Sequence, residues 1–71
     1  MTSTAKTSPA FARRLAWART AGYYDGRHAA LSGHSSELER NLDTLWKADT
    51  RTPNGRVVAA YVLAFVEGNR T

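Results

Sequence analysis

Residues 9–33 read PAFARRLAWARTAGYYDGRHAALSG, and this stretch predicts one long α-helix around which the rest of the chain is arranged. Ser8 is a suitable N-cap, because its hydroxyl can accept a hydrogen bond from a free backbone N–H of the first turn. Pro9 fits the first helical position, and Gly33 can end the helix in the left-handed conformation.

One face of this helix changes from large to small side chains along its length. At roughly 100° per residue, a single side carries Phe11, Leu15, Ala18, Gly22, Gly26, Ala29 and Gly33. Glycine inside a helix costs about 0.5–1 kcal/mol relative to alanine. Gly22 and Gly26 therefore indicate close packing against another helix, a bend, or a break near Gly22.

The opposite face combines aromatic and basic side chains: Arg13, Trp17, Thr20, Tyr24, Arg27, His28 and Leu31. We interpret this face first as a second core surface. The second interpretation is a surface on which aromatic rings stack against bases while guanidinium groups contact phosphates. The candidate nucleic-acid-binding residues are Arg13, Arg14, Arg19, Arg27, Trp17 and Tyr24.

The composition predicts a small cytoplasmic protein with one domain. The 71 residues divide into a disordered polar tail, 1–8, and one helical domain, 9–71. The absence of cysteine excludes disulfides and zinc thiolate sites and suits a reducing compartment. No apolar window is long enough for a membrane span, and the N-terminus does not resemble a secretory signal. Because so short a chain buries little apolar surface, a homodimer or a larger partner would help to stabilise it.

The net charge of +4 belongs to the first half of the chain. Residues 1–33 contain five basic residues and a single acidic residue, Asp25, whereas the charges of residues 34–71 cancel. Such a basic patch favours RNA, DNA or an acidic protein as the partner. A contribution to solubility alone is the competing explanation.

A second helix is predicted from about Glu37 to Ala48. Ser36 and Glu39 fit the S-x-x-E capping box at its start. Its apolar stripe contains Leu38, Leu42 and Leu45, widened by Trp46. We expect this stripe to cover one side of the third helix.

The third helix is predicted from about Gly55 to Glu67, capped either by Thr52 with Pro53 or by Asn54, and ended by Gly68 as a C-cap. Its apolar residues surround most of its circumference, which makes it central. The predicted fold class is an all-α, small three-helix bundle, with a long first helix packed on the apolar third helix through its glycines.

The sequence offers no convincing catalytic or metal site, and we predict neither an enzyme nor a cofactor. Asp25 and His28 share a helix face, but two ligands do not make a metal site, and His34 lies past the helix end. The serines near His34 are better explained as turn and cap residues than as nucleophiles.

The run Ala21–Gly33 and the segment Tyr61–Gly68 together resemble ribosome modulation factor and related small proteins, several of them carried by phages. In that family a first helix has A-x-x-x-G-x-x-x-G-x-x-A-x-x-x-G spacing, and the closing helix is of W/Y-x-x-G/A-W/F-x-E-G type. This chain lacks the Pro-Tyr element of the family's linker and carries the predicted helix Glu37–Ala48 there instead. The resemblance implies a packed helix pair and binding to the ribosome.

Three functions remain open at this point. The first is a non-catalytic basic module that docks on structured RNA or the ribosome through its first helix. The alternative is a small, phage-type protein–protein adaptor or inhibitor, anchored on one host protein by Trp17, Tyr24, Leu31 or Trp46. The third is a helical DNA-binding protein, although the third helix is very apolar for a recognition helix.

Overall fold

A computed structural model describes residues 8–33 and 35–70, which form three α-helices. Helix α1 spans Pro9–Ser32, α2 spans Ser35–Lys47 and α3 spans Pro53–Arg70. The described residues contain no strand, and α1 packs extensively on α3, so the predicted all-α fold with a long first helix on the third is confirmed. The tail predicted to be disordered lies outside the described residues, except for Ser8.

Both ends of α1 are as the sequence predicts. The Ser8 hydroxyl accepts the N–H of Phe11 at 3.1 Å, and Pro9 occupies the first turn. Gly33 adopts φ 74°, ψ 23°, and its N–H donates to the carbonyls of Ala29 and Ala30. The helix is continuous from Pro9 to Ser32, so the predicted alternative of a break near its glycines is wrong.

The glycines of α1 allow the backbone of α3 to lie directly against it. A methyl group on Gly22 would collide with the carbonyl oxygen of Tyr61 and would lie 3.1 Å from the Ala64 Cβ. A methyl group on Gly26 would collide with the Phe65 carbonyl oxygen and would lie 2.9 Å from the Asn69 nitrogen. We call this contact the glycine interface; it confirms the prediction of close packing.

The two helices run in the same direction. Gly22 faces Tyr61 and Gly26, one turn later, faces Phe65. Nearer the start of both helices, the Arg14 side chain reaches Asn54. Helix α2 must therefore return the chain from the end of α1 to the start of α3.

The sequence predicts that Gly68 ends the third helix, and that prediction is wrong. The helix continues to Arg70, and Gly68 is buried, with the carbonyl oxygen of Tyr23 where a side chain would stand. The reason is steric: Gly68 extends the glycine interface from the α3 side.

The core between the helices is small. Among the described residues it consists of Ala18, Ala29, Val57, Ala59, Val62 and Phe65, and of these only Phe65 and Val62 are sizeable, fully buried side chains. Close backbone approach therefore replaces bulky side chains at the centre of this fold.

Helix α2 differs in two ways from the prediction. It begins at Ser35, so Ser36 lies inside the first turn and the predicted capping box does not mark the start. Glu37 consequently falls in the first turn, where the helix dipole favours a carboxylate. The predicted covering stripe is also incomplete, because Trp46 is 88% exposed and Leu42 is 38% exposed, although α2 does pack mainly on α3.

The start of α3 follows one of the two predicted caps. The Thr52 hydroxyl accepts the Gly55 N–H at 3.0 Å, and the Thr52 carbonyl accepts the Arg56 N–H at 3.0 Å. Thr52 with Pro53 is therefore the cap, and Asn54 lies in the first turn. Among the described residues, no helix is both long and apolar enough to cross a membrane.

Candidate nucleic-acid interface

The aromatic and basic face of α1 is largely exposed. Trp17 and Tyr24 are each 65% exposed and Leu31 is 80% exposed, so the interpretation of this face as a second core surface is wrong. The physical reason is that α2 packs on α3 and scarcely on α1, which leaves the face opposite the glycine interface without a partner. The Tyr24 ring meets Tyr23 edge-on, with the ring centroids 5.7 Å apart.

Arg13, Arg14 and Trp17 surround one hollow beside the start of α3. The hollow has a volume of about 420 Å³, and Ala10 and Val57 complete its wall. Arg13 and Trp17 are one turn apart on α1, so their side chains lie above one another. The arrangement places two arginines and a tryptophan along the wall of one open hollow.

The guanidinium of Arg14 is held in place from α3. Its Nη2 donates to the Asn54 Oδ1 at 2.7 Å, and this hydrogen bond ties the first turn of α3 to α1. One end of Arg14 is thus fixed, and its other N–H groups can still meet a ligand. The sequence predicts Arg14 as a binding residue but gives no sign of Asn54 as its support.

The six candidate residues do not all come together. Arg19 lies on the other flank of α1, where it lines a second groove with Tyr23 and Leu63. Tyr24 also reaches that groove. Arg27 follows Tyr24 by three positions and is half-buried. Within the described part of the chain, neither Arg13, Arg19 nor Arg27 forms an ion pair.

The single carboxylate of α1 is engaged by α3. The Tyr61 hydroxyl donates a hydrogen bond to the Asp25 carboxylate. Burial, followed by the hydrogen bond to Asp25 and the charges of Asp25 and Glu37, raises the pKa of Tyr61 to about 12. Asp25 lies 11 positions after Arg14 on the same flank of α1, about 16 Å further along the helix than the hollow at Arg13 and Trp17.

Metal binding receives no support from the described residues. They contain no group of three or more His, Cys, Asp or Glu side chains that could hold an ion. His34, which the sequence analysis considered, lies outside the described residues.

Comparison of the chain with protein-family models, with curated proteins and with solved structures finds no match. The resemblance to ribosome modulation factor consequently stays a prediction, as do the RNA, protein and DNA partners.

Proposed function

We propose that this protein is a non-catalytic RNA-binding module, and that the hollow formed by Arg13, Arg14 and Trp17 is the centre of its binding surface. The observation that carries the proposal is the grouping of two arginines and a largely exposed tryptophan along one hollow. Guanidinium groups pair with phosphate oxygens through two N–H groups at once, and indole rings stack on bases.

The surrounding charge supports an anionic ligand. The exposed face of α1 carries arginines, and the carboxylate of Asp25, about 16 Å along the helix from Arg14, accepts a hydrogen bond from the Tyr61 hydroxyl. A phosphate chain that approaches this face meets Arg13 first and then, along the helix axis, Arg27. These two residues are 14 positions apart, or about 21 Å at 1.5 Å per residue. The face is therefore long enough for several nucleotides.

Structured RNA fits this surface better than a regular duplex. A duplex keeps its bases stacked inside, whereas loops and bulges present unstacked bases that an aromatic side chain can reach. Trp17 and Tyr24, seven positions or about 10 Å apart, could each take one such base. We propose ribosomal RNA as the first target, since the glycine-spaced helix resembles that of ribosome modulation factor.

The first test is sedimentation with ribosomes through sucrose gradients at ~50 mM and ~200 mM salt. We expect the protein to travel with ribosomes at low salt and to dissociate at high salt, because each phosphate contact releases counterions. Anisotropy titrations with an RNA hairpin should then give a slope of log K against log salt near −3 for about four phosphate contacts. A protein that stays at the top of both gradients and binds no hairpin would contradict the proposal.

A pair of matched variants locates the surface. Arg13→Glu with Arg14→Glu should abolish RNA binding, and Trp17→Ala should weaken it about tenfold while leaving the salt slope unchanged. The control is Arg40→Glu with Lys47→Glu, which makes the same charge change on α2, at residues that do not line the hollow. If both double variants lose affinity equally, net charge alone explains the binding. Circular dichroism of each variant checks that the helices remain folded.

A second candidate function is supported by Trp46 and Leu31, which are 88% and 80% exposed. Large exposed apolar side chains are typical anchors of protein–protein interfaces. As an adaptor, the protein would bind one partner protein with an affinity that hardly changes with salt and falls in Trp46→Ala. If the protein is instead an RNA-binding module, its affinity for RNA should fall steeply with salt and should not change in Trp46→Ala.

A further inference from the structure

The groove between α1 and α3, on the side that α2 does not cover, has a volume of about 890 Å³ and is larger than the hollow around Trp17. Its floor is apolar and includes Leu15, Ala59 and Ala64. Leu63 stands on its α3 side and is 59% exposed. Neither the hollow around Trp17 nor the core uses this leucine.

The groove side of α3 has a regular pattern. Arg56, Ala60, Leu63 and Glu67 all line the groove, at positions i, i+4, i+7 and i+11. This 4-3-4 spacing places the four residues in one stripe along the helix, as in a coiled-coil contact. We call it the α3 stripe. Along the stripe, the positive charge of Arg56 is followed by the small Ala60, the large Leu63 and the carboxylate of Glu67.

The α3 stripe is complementary to itself when reversed. In an antiparallel pair of stripes, Arg56 of one copy faces Glu67 of the other, and Ala60 of one faces Leu63 of the other. Both pairings have the same midpoint, between Tyr61 and Val62, so one two-fold axis satisfies both. A closed symmetric dimer requires this self-complementarity of one surface patch.

We propose that a second copy of this chain occupies the groove, with the two α3 stripes antiparallel across a two-fold axis. Each Leu63 fills the space above the partner copy's Ala60, and each Arg56 pairs with the partner copy's Glu67. The layer formed by α1 and α3 of one copy then packs against the same layer of the other copy, and α2 lies on the outside.

The existing contacts at the two ends of the stripe suit this arrangement. The Arg56 Nε donates to the Thr50 carbonyl at 3.0 Å, which fixes the side chain over the groove end and leaves its terminal nitrogens available. Glu67 has an Arg70 nitrogen 3.7 Å away, and both side chains are mostly exposed. A carboxylate can accept from two arginines, so this surface contact does not exclude a second one.

The area is sufficient for a moderate dimer. Over the length of α3, about 27 Å, the layer of α1 and α3 with their axes about 9 Å apart offers a flat footprint near 500 Å² per copy. Interdigitating side chains raise the buried accessible area toward ~600 Å² per partner, the lower end for specific interfaces. We therefore expect dissociation in the micromolar range. The hollow at Arg13 and Trp17, the centre of the proposed RNA-binding surface, lies outside the groove, whereas Tyr24 lines it. The dimer is therefore tested at Leu63, Arg56 and Glu67, which the proposed RNA binding does not use.

Sedimentation velocity of the full chain from ~1 to ~300 µM tests the proposal. We expect a monomer–dimer equilibrium for the wild type and a monomer throughout for Leu63→Glu. Leu31→Glu is the matched control, since the same change is made at a more exposed leucine outside the groove, and it should leave the dimer intact. A wild type that stays monomeric up to ~300 µM, or a dimer that survives Leu63→Glu, overturns the proposal.

Charge exchange distinguishes this contact from a general loss of folding. Arg56→Glu and Glu67→Arg should each weaken the homodimer about tenfold, since each creates two like-charge pairs. When the two variants are mixed, each of the two contacts in the mixed dimer again joins one glutamate and one arginine, so wild-type affinity should return. Failure of the mixture to associate, with both variants folded by circular dichroism, would show that these residues do not meet.

Discussion

Two contacts of this molecule differ sharply: that of α1 with α3 and that of α2 with α3. The first is made by backbone against backbone, with Gly22, Gly26 and Gly68 opposite carbonyl oxygens. The second is made by the partly buried leucines of a short amphipathic helix whose Trp46 is left in solvent. The first contact requires particular residues at particular positions, whereas the second tolerates a range of side chains. The same fold thus contains a rigid pair of helices and a more replaceable connector.

The largest expected effect follows from breaking the glycine interface. Gly26→Val places a branched side chain where the Phe65 carbonyl oxygen and the Asn69 nitrogen lie, so the two helices must separate. We expect a loss of more than about 4 kcal/mol in the free energy of unfolding, which would unfold a chain of this size. Circular dichroism of Gly26→Val without denaturant should show lost helix, and urea denaturation of the wild type gives the free energy that has been lost.

The control for that experiment is Ala16→Leu on the exposed side of α1. An added side chain in solvent should change the stability by less than about 0.5 kcal/mol. If Gly26→Val is also tolerated, the helices do not touch through their backbones and the comparison of the two contacts fails.

The next effect concerns the cap that starts α3. Thr52→Ala removes the hydroxyl that accepts the Gly55 N–H at 3.0 Å and donates to the Asp49 carbonyl at 2.8 Å. Loss of such a cap costs about 1–2 kcal/mol. Thr44→Ala is the matched change in α2, where the hydroxyl only donates to the Arg40 carbonyl one turn back. Thr44→Ala should leave the free energy of unfolding unchanged or raise it slightly, because alanine has a higher helix propensity than threonine.

The hydrogen bond between Tyr61 and Asp25 gives a pH-dependent effect on the α1–α3 pair. The pKa of Tyr61 is raised to about 12, above its ordinary value near 10, so folding favours the protonated phenol. This contribution is complete below pH 10 and is lost as the pH rises through 12. We expect stability to fall over that window in the wild type and not in Tyr61→Phe, apart from effects common to both proteins. Absorbance near 295 nm should show a tyrosine ionisation near pH 12 in the wild type that is missing from Tyr61→Phe.

Much of the α1–α3 pair could be predicted from the sequence, because local rules fix it. Ser8, Pro9 and Gly33 have positions that only a helix start or end explains, and two glycines on one helical face need a close neighbour. The prediction for Gly68 is wrong because a glycine near a helix end suits a C-cap and a packing contact equally well. Only the position of Tyr23 on the other helix decides between them.

The candidate site could be predicted less completely. The sequence identifies the arginines and aromatic residues. Which face of α1 is buried, however, depends on how the other two helices pack against it. A helix with an apolar face and an aromatic–arginine face can bury either one, and our first interpretation buries the face that the structure exposes. The support of Arg14 by Asn54, 40 positions later, and the separation of Arg19 from Arg13 depend on tertiary packing. No local pattern contains that information.

The smallest expected effect tests the other side of the comparison, the loose attachment of α2. Trp46→Ala removes a large side chain that is 88% exposed, so little buried surface is lost. We expect a change of less than about 0.5 kcal/mol, although the same substitution at a buried tryptophan costs about 3–5 kcal/mol. Hydrogen exchange should show the amides of α2 opening at lower free energy than those of α1 and α3 around the glycine interface. Equal protection of all three helices, or a large loss of stability in Trp46→Ala, would mean that α2 is held as firmly as the helix pair it connects.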